Sequence, residues 1–250
     1  MRNCSMGLLL GVAVLAVSPL LLAQTARQPG AARAQAGTPT PDLAGVWDAP
    51  IRGNPGAVFS RDPIPMTPWA EEKFNYNRDP KDPNARGRNE LDLYIADCFP
   101  AGLPRIWLIP RPFEIIQSAR RVMIVYESNH WFRQIWMDMQ EHPKVVDPAW
   151  MGHSIGKWDG DTLVVDTIGI RADNPWLDGA GHVRSAALHI VERIRRVDPK
   201  TLTLDITFDD PKAFTKPWTG HRTFQLLPDL ALSEDLACED RLLGHPFPVE

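Results

Sequence analysis

From residue 113 onward the chain alternates short runs rich in Val, Ile, Thr, Phe and Trp with turn residues. This spacing is typical of an antiparallel meander, and no strong helical pattern interrupts it. We therefore predict an all-β domain that forms a barrel or a two-sheet sandwich. The predicted strands are Phe113–Ser118, Arg121–Glu127, Trp131–Asp138, His153–Trp158, Thr162–Ile168, Leu188–Val197, Thr201–Asp209, Trp218–Leu227 and a weaker one near Leu232–Cys238.

The region before these strands is rich in proline and charge and contains one helical pattern. Thr67 is an N-cap residue, Pro68 takes the first helical position, and the helix continues from Trp69 to about Tyr76. We interpret the surrounding segment, residues 53–89, as a lid, because long irregular segments are uncommon in compact domains unless they cover something. Upstream, Gly45-Val46-Trp47 resembles the Gly-x-Trp at the first strand of lipocalin-like barrels, which favours a barrel.

The first hairpin predicts a candidate general base. Asp159-Gly160 lies between two β-prone runs and is the preferred core of a two-residue type I′ turn. Counting outward from that turn places His153 opposite Asp166, about 5 Å apart at Cβ. A carboxylate beside an imidazole fixes the tautomer and raises the basicity, as general-base catalysis requires. A purely structural surface pair is the alternative.

A second hairpin has one register that satisfies the polarity of both of its faces. A three-residue turn at Asp198-Pro199-Lys200 places apolar residues opposite one another on the inner face and oppositely charged residues opposite one another outside. It also places Glu192 on the inner face. The predicted pairs are Ile194–Leu204, Ile190–Phe208, Arg193–Asp205 and Glu192–Ile206.

Glu192 is a lone carboxylate on an apolar face, which is costly unless it is paired or protonated. Arg222, on the following strand, also lies among apolar neighbours. Two interpretations are open: a structural Glu192–Arg222 ion pair, or the polar floor of a ligand cavity. Tryptophans and histidines near the polar residues extend the candidate site, in which the predicted substrate-binding residues are Arg222, Trp218, Trp150, His182 and His189.

No motif for a metal or a cofactor is present. The histidines include His182, His189 and His221, but no His-x-His or His-Glu-x-x-His spacing occurs. The chain also lacks a Gly-rich phosphate loop and a Cys-x-x-Cys pair. We therefore predict neither a metal nor a cofactor.

The N-terminus predicts export. Arg2 precedes an uncharged apolar run, Met6–Ala23, which is typical of a cleavable signal peptide; a transmembrane anchor is the alternative. We predict a signal peptide at 1–23, a disordered tether at 24–41 and one β-rich domain at 42–250, located in the periplasm or secreted. No stable membrane insertion is expected after cleavage.

Export changes the interpretation of the cysteines. Cleavage leaves Cys98 and Cys238 in an oxidising compartment, where we predict a disulfide; two unrelated buried thiols are the alternative. The formal net charge is -4. Because the chain carries no basic block, nucleic acid is not an expected partner.

Four motifs resemble a family of exported bacterial proteins of uncharacterised function. The resemblance extends from Asp42 to the C-terminus and implies export, but it implies no activity. The motifs are Trp150–Ser154, Trp158–Asp166, His182–Arg193 and Asp210–Trp218.

These observations favour a cofactor-independent enzyme in which His153, oriented by Asp166, shares acid and base roles with Glu192. The substrate is expected to be small and largely apolar or cyclic, and hydrolysis, elimination, isomerisation and cyclisation all suit such groups. The alternatives are a lipocalin-like protein that binds a hydrophobic ligand without catalysis and an envelope scaffold. The enzyme hypothesis predicts that the three side chains converge at one pocket, whereas the binding hypothesis predicts a deep apolar cavity.

Overall fold

The computed structural model describes residues 40–49, 57–78, 87–88 and 91–233. Nine strands follow chain order around a closed barrel, which confirms the predicted all-β, lipocalin-like barrel over the sandwich. The strands are β1 Gly45–Asp48, β2 Phe113–Gln117, β3 Arg121–Tyr126, β4 Phe132–Trp136, β5 His153–Asp159, β6 Thr162–Ile168, β7 His189–Asp198, β8 Thr201–Asp209 and β9 Trp218–Leu226. The helices are α1 Pro68–Asn77, α2 Leu93–Ala96 and a 3₁₀ helix, Arg105–Leu108.

The barrel departs from a purely antiparallel meander at one pair of strands. β4 and β5 run parallel and share only two register pairs, Ile135–Ser154 and Trp136–Ile155. Parallel neighbours cannot be joined by a hairpin, so the chain needs a crossover connection. Residues 137–152 form this crossover, and His142 within it contacts side chains on the outer face of β5 and β6.

Some predicted segments fall outside the described residues. The signal peptide, most of the tether and Cys238 are among them. The weak strand predicted near Leu232–Cys238 is absent at residues 232–233, and the rest of it is not described. Among the residues that the structure does describe, no helix has the length and apolar character needed to cross a membrane.

Trp47 of the Gly-x-Trp motif is fully buried in the barrel core. Its Nε1 donates a hydrogen bond to the carbonyl of Leu43 at 3.0 Å. The guanidinium of Arg196, on β7, lies 5.3 Å from the centroid of the Trp47 ring. The indole is therefore held by a hydrogen bond at its edge and by a cation–π contact on its face.

The 3₁₀ helix fills the middle of the barrel with Trp107. This ring lies 5.2 Å from Phe113, 5.7 Å from Tyr126 and 5.6 Å from Phe224, measured between ring centroids. All four side chains are buried. The deep apolar cavity expected for a lipocalin-like binding protein is thus occupied at this level by the protein's own aromatic side chains.

The predicted helix and its cap are confirmed. The Thr67 side chain accepts a hydrogen bond from the Ala70 N–H at 3.3 Å, and Pro68 is the first residue of α1. Earlier in the same segment, Phe59 is buried and packs on Phe208 at 5.0 Å between ring centroids. The described part of the proline-rich segment therefore packs against the barrel at β8.

Candidate functional site

The first hairpin turns one residue later than predicted. Asp159 pairs with Thr162, so the loop is Gly160-Asp161, and Gly160 has a φ of +61°. Glycine at the first loop position is characteristic of a type II′ turn, because a positive φ is required there. The pairing consequently shifts by two residues, and His153 lies opposite Ile168.

The predicted direct pairing of His153 with Asp166 is therefore wrong, since Asp166 lies opposite Ile155. A shift of two residues leaves every side chain on its original face of the sheet. His153 and Asp166 thus remain diagonal neighbours on the same face. Their flanking residues, Ser154 and Thr167, are buried, which places His153 and Asp166 on the outer face of the barrel.

The register of the second hairpin is confirmed at all four predicted pairs. A bulge between Arg196 and Asp198 and the pair Asp198–Thr201 accommodate the turn. Glu192 is completely buried on the inner face, as predicted. It is therefore separated by the barrel wall from His153 and Asp166, and the expectation that these three residues converge at one pocket is wrong.

The partner of Glu192 is Arg133 on β4, not Arg222. The two side chains are fully buried. Arg133 donates from Nη1 to Oε1 at 2.9 Å and from Nη2 to Oε2, and Trp107 donates from Nε1 to Oε1 at 2.7 Å. Arg222 instead lies opposite Leu204, where burial lowers the pKa of its guanidinium to about 10.

The other donors of Arg133 are also satisfied. Nη2 donates to Thr167 Oγ1 at 2.9 Å, and Nε donates to Ser154 Oγ at 3.2 Å. Burial alone would lower the pKa of Arg133, but the charge and hydrogen bonds of Glu192 outweigh it and raise that pKa. Burial also raises the pKa of the neighbouring Tyr126 phenol above its ordinary value. The inner network therefore pairs both buried charges, whereas the buried Tyr126 hydroxyl beside it has no hydrogen-bond partner among the described residues.

A second polar group lies on the outer face, where His142 joins the residues predicted from sequence. His142 Nε2 lies 2.8 Å from Asp166 Oδ1, and His142 Nδ1 lies 2.8 Å from His153 Nδ1. His189 Nε2 lies 3.1 Å from Asp166 Oδ2. We call these four residues the outer histidine cluster.

The hydrogen bonds determine where the protons lie. An ionised carboxylate only accepts, so the Nε2 atoms of His142 and His189 both carry hydrogen. In a neutral His142 the Nδ1 atom is then an acceptor, and His153 donates to it from Nδ1. This leaves a lone pair on His153 Nε2, which has no hydrogen-bond partner among the described residues.

The electrostatics also favour an unprotonated His153. Burial is the main cause that lowers the pKa of His153 below its ordinary value, and a positive charge on His142 lowers it further when His142 is protonated. Burial raises the pKa of Asp166, but hydrogen bonds and charge from His142 and His189 outweigh this effect and lower it. At neutral pH the cluster therefore combines an ionised carboxylate with an unprotonated His153, which is suited to accept a proton.

Two clefts adjoin the cluster, one at each end of the Asp166–His142–His153 chain. The crossover cleft has a volume of about 750 Å³ and is lined by His142 and Asp166. The aromatic groove has a volume of about 450 Å³ and is lined by His153. Its aromatic lining consists of Trp131, Phe132, Trp136 and Trp150.

The remaining predicted site residues divide between these clefts and other regions. Trp150 borders the aromatic groove, and His189 belongs to the outer histidine cluster. His182 lies outside the site, because its Nδ1 is hydrogen-bonded to Asp178 Oδ2 at 2.7 Å and its ring stacks on Phe74. Trp218 stacks on Phe208 at 4.3 Å and borders neither cleft.

The geometry of the cluster differs from that of a metal site. The two nitrogens of His142 face different partners, Asp166 and His153, so the side chains do not converge on one point. Within the described ranges, no group of three or more His, Cys, Asp or Glu side chains is arranged to hold a metal ion.

The comparisons with known proteins give a distant structural likeness only. No family model matches the chain, and no curated protein matches its sequence. Among solved structures, a secretory abundant heat soluble (SAHS) protein from Ramazzottius varieornatus is similar, with 10% sequence identity and a TM-score of 0.28. The match covers 74% of this chain and 95% of that chain. A TM-score this low carries no argument about function.

Proposed function

We propose that this protein is an exported, cofactor-independent acid/base enzyme that acts on a small, largely apolar or cyclic molecule at the aromatic groove. The observation that carries the proposal is the hydrogen-bonded chain from Asp166 through His142 to His153. This chain ends at a lone pair on His153 Nε2, at the wall of the groove. The proposed site departs from the three-residue arrangement predicted from the sequence, because Glu192 is buried inside the barrel and is paired with Arg133. His142 replaces Glu192 as the partner of His153 and Asp166.

Each member of the chain has a distinct role. His153 Nε2 accepts a proton from a C–H or O–H of the substrate, whose bonding electrons remain on the substrate. The positive charge that develops on His153 is shared with His142 through their hydrogen bond. Asp166 orients His142 and stabilises this charge, as a carboxylate does when it accepts a hydrogen bond from a catalytic imidazole.

The groove supports a cyclic substrate. Tryptophan and phenylalanine side chains offer flat apolar surfaces on which rings stack. Phe132 is 62% exposed. Because burial of a large aromatic ring is energetically favourable, a ligand that covers Phe132 would be stabilised. Arg171 lies over Trp150 at 4.6 Å from the ring centroid and is ion-paired with Asp173 at 2.6 Å, so it adds a polar edge to the groove.

A neutral ring-bearing probe, 5-nitrobenzisoxazole, tests this role. Loss of its C3 proton to His153 converts the C–H electron pair into the nitrile and breaks the N–O bond, which releases a coloured phenolate. We expect the protein to accelerate this reaction and His153→Gln to lose about 10²-fold or more in kcat/KM. His221→Gln is the control, because His221 is exposed, hydrogen-bonds Asp205 and borders neither cleft. Equal rates for the protein and His153→Gln would refute the proposal.

The pH dependence of kcat/KM provides an independent check. The unprotonated form of His153 is the active form, so the rate should fall as the pH drops below the pKa of this residue. Because that pKa lies below the ordinary value, the rate should still exceed half of its plateau at about pH 6.5. A profile that instead loses activity between about pH 8 and 7 would contradict this role for His153.

We further propose that export leaves Cys98 and Cys238 joined by a disulfide. Peptide mapping of the exported protein under non-reducing conditions should recover both cysteines in one cross-linked peptide, which reduction separates. N-terminal sequencing of the same sample should begin after residue 23. Recovery of both cysteines as alkylated free thiols would count against the disulfide.

A further inference from the structure

We propose that the crossover cleft is a separate binding site for a small apolar molecule that carries a cationic amine, and that binding there is coupled to His153. The inference goes beyond the proposed reaction, because the substrate of that reaction binds in the other cleft. The crossover cleft has a volume of about 750 Å³, which lies within the range of small-molecule sites, roughly 300–1,000 Å³.

The walls of the cleft are mainly apolar and adaptable. Val164 and Val191 line it from the outer face of β6 and β7, and Met137 and Met139 line it from the crossover. Methionine side chains are flexible and polarisable and fill irregular space around a ligand. Gly156 makes room for one of them, because a Cβ at this position would lie only 2.7 Å from the Met137 sulfur.

The charges in the cleft favour an amine over a carboxylate. Glu141 and Asp166 line it beside His142, and Lys157 is the only lysine or arginine in the described lining. Lys157 lies two residues beyond Ile155, the register partner of Asp166, so it is about 7 Å further along the strand. Each Asp166 oxygen accepts one histidine N–H, and a carboxylate oxygen has a second lone pair that can accept from an ammonium group.

The outer histidine cluster couples this cleft to the reacting group. His142 and Asp166 line the crossover cleft, whereas His153 lines the aromatic groove. An ammonium group beside Asp166 would repel the positive charge that His142 and His153 share after protonation. A bound amine should therefore lower the pKa of His153, and protonation of His153 should weaken amine binding by the same factor.

Calorimetric titration of the exported protein with octylamine and with octanoate tests the site. These probes have the same apolar chain and opposite charges. We expect octylamine to bind at least about tenfold more tightly than octanoate. Val164→Trp, which fills the cleft, should weaken octylamine binding by a similar factor. Val145→Trp is the control, because Val145 is 82% exposed and borders neither cleft.

Equal affinities for the two probes, or unchanged octylamine binding to a folded Val164→Trp, would overturn the proposal. Val191→Trp fills the cleft from β7 and replaces Val164→Trp if that variant does not fold. Coupling is measured by following the His153 imidazole resonances against pH, with and without octylamine; an unchanged midpoint refutes it. Turnover of 5-nitrobenzisoxazole does not require octylamine. The reaction is therefore tested by turnover and the cleft by octylamine binding, and either proposal can be refuted without the other.

Discussion

Replacing Glu192 with alanine is expected to lower the free energy of unfolding by about 3–5 kcal/mol. The substitution leaves the guanidinium of Arg133 buried, with no counter-charge among the described residues. It also removes the acceptor of the Trp107 indole N–H. Urea denaturation at neutral pH, followed by tryptophan fluorescence, measures the loss.

Two further variants separate the contribution of the buried pair from a general effect of substitution. In the double variant Arg133→Met with Glu192→Leu, much of the loss should be recovered, because no uncompensated charge stays inside the barrel. Arg193→Ala, on the same strand, removes an exposed ion pair with Asp159 and should cost less than about 1 kcal/mol. If Glu192→Ala cost no more than Arg193→Ala, the inner network would not stabilise the barrel.

The second large effect is expected at Trp107. Trp107→Ala should lower the free energy of unfolding by about 3–5 kcal/mol, since it leaves a cavity between Phe113, Tyr126 and Phe224. Trp107→Phe keeps a six-membered ring in this space but loses the rest of the indole and its hydrogen bond to Glu192, so it should cost less than the alanine variant. Thermal and urea unfolding of both variants provide the comparison. A phenylalanine variant as unstable as the alanine variant would mean that the hydrogen bond outweighs the packing.

Because Trp107 and Glu192 are in direct contact, their substitutions should not be additive. Once Glu192 is absent, the N–H of Trp107 has already lost its acceptor. The double variant Trp107→Ala with Glu192→Ala should then unfold at a smaller total cost than the sum of the single variants. Strict additivity would indicate that the two side chains stabilise the barrel independently.

Alternation along single strands made much of the fold predictable from the sequence. In the second hairpin, the inner positions of β8 and of residues 189–195 of β7 are apolar except for Glu192, and the outer positions are polar except for Val191, so one register satisfies both faces. The same alternation placed Glu192 inside. Each of these features depends on residues that are close together in sequence. Within one strand, successive side chains point to opposite faces, so the sequence alone shows which residues share a face.

The first hairpin shows where alternation stops being informative. Turns at Asp159-Gly160 and at Gly160-Asp161 both use the glycine, and they differ by two residues in register. Such a shift leaves each side chain on the same face, so the polarity pattern does not distinguish the two turns. Only the turn geometry does, with a positive φ at Gly160 as the first loop residue.

The residues that the sequence did not identify come from distant parts of the chain. Arg133 reaches Glu192 across a closed barrel, because β4 and β7 are not neighbours in the sheet. Trp107 arrives from a 3₁₀ helix outside the strand pattern. His142 lies in the crossover, where no periodicity predicts which side chains face the wall. Closure of the barrel and the path of the crossover determine these contacts. Neither can be predicted from the alternation of apolar and polar residues along one strand.

The parallel pairing of β4 and β5 also limits how the outer site can vary. A connection between parallel strands requires about a dozen residues or more, and residues 137–152 number sixteen, so the crossover has little slack. Deletions there would pull His142 away from Asp166, whereas insertions would leave every ladder of the barrel intact. Insertions in this one segment should therefore reshape the crossover cleft and leave the nine strands unchanged.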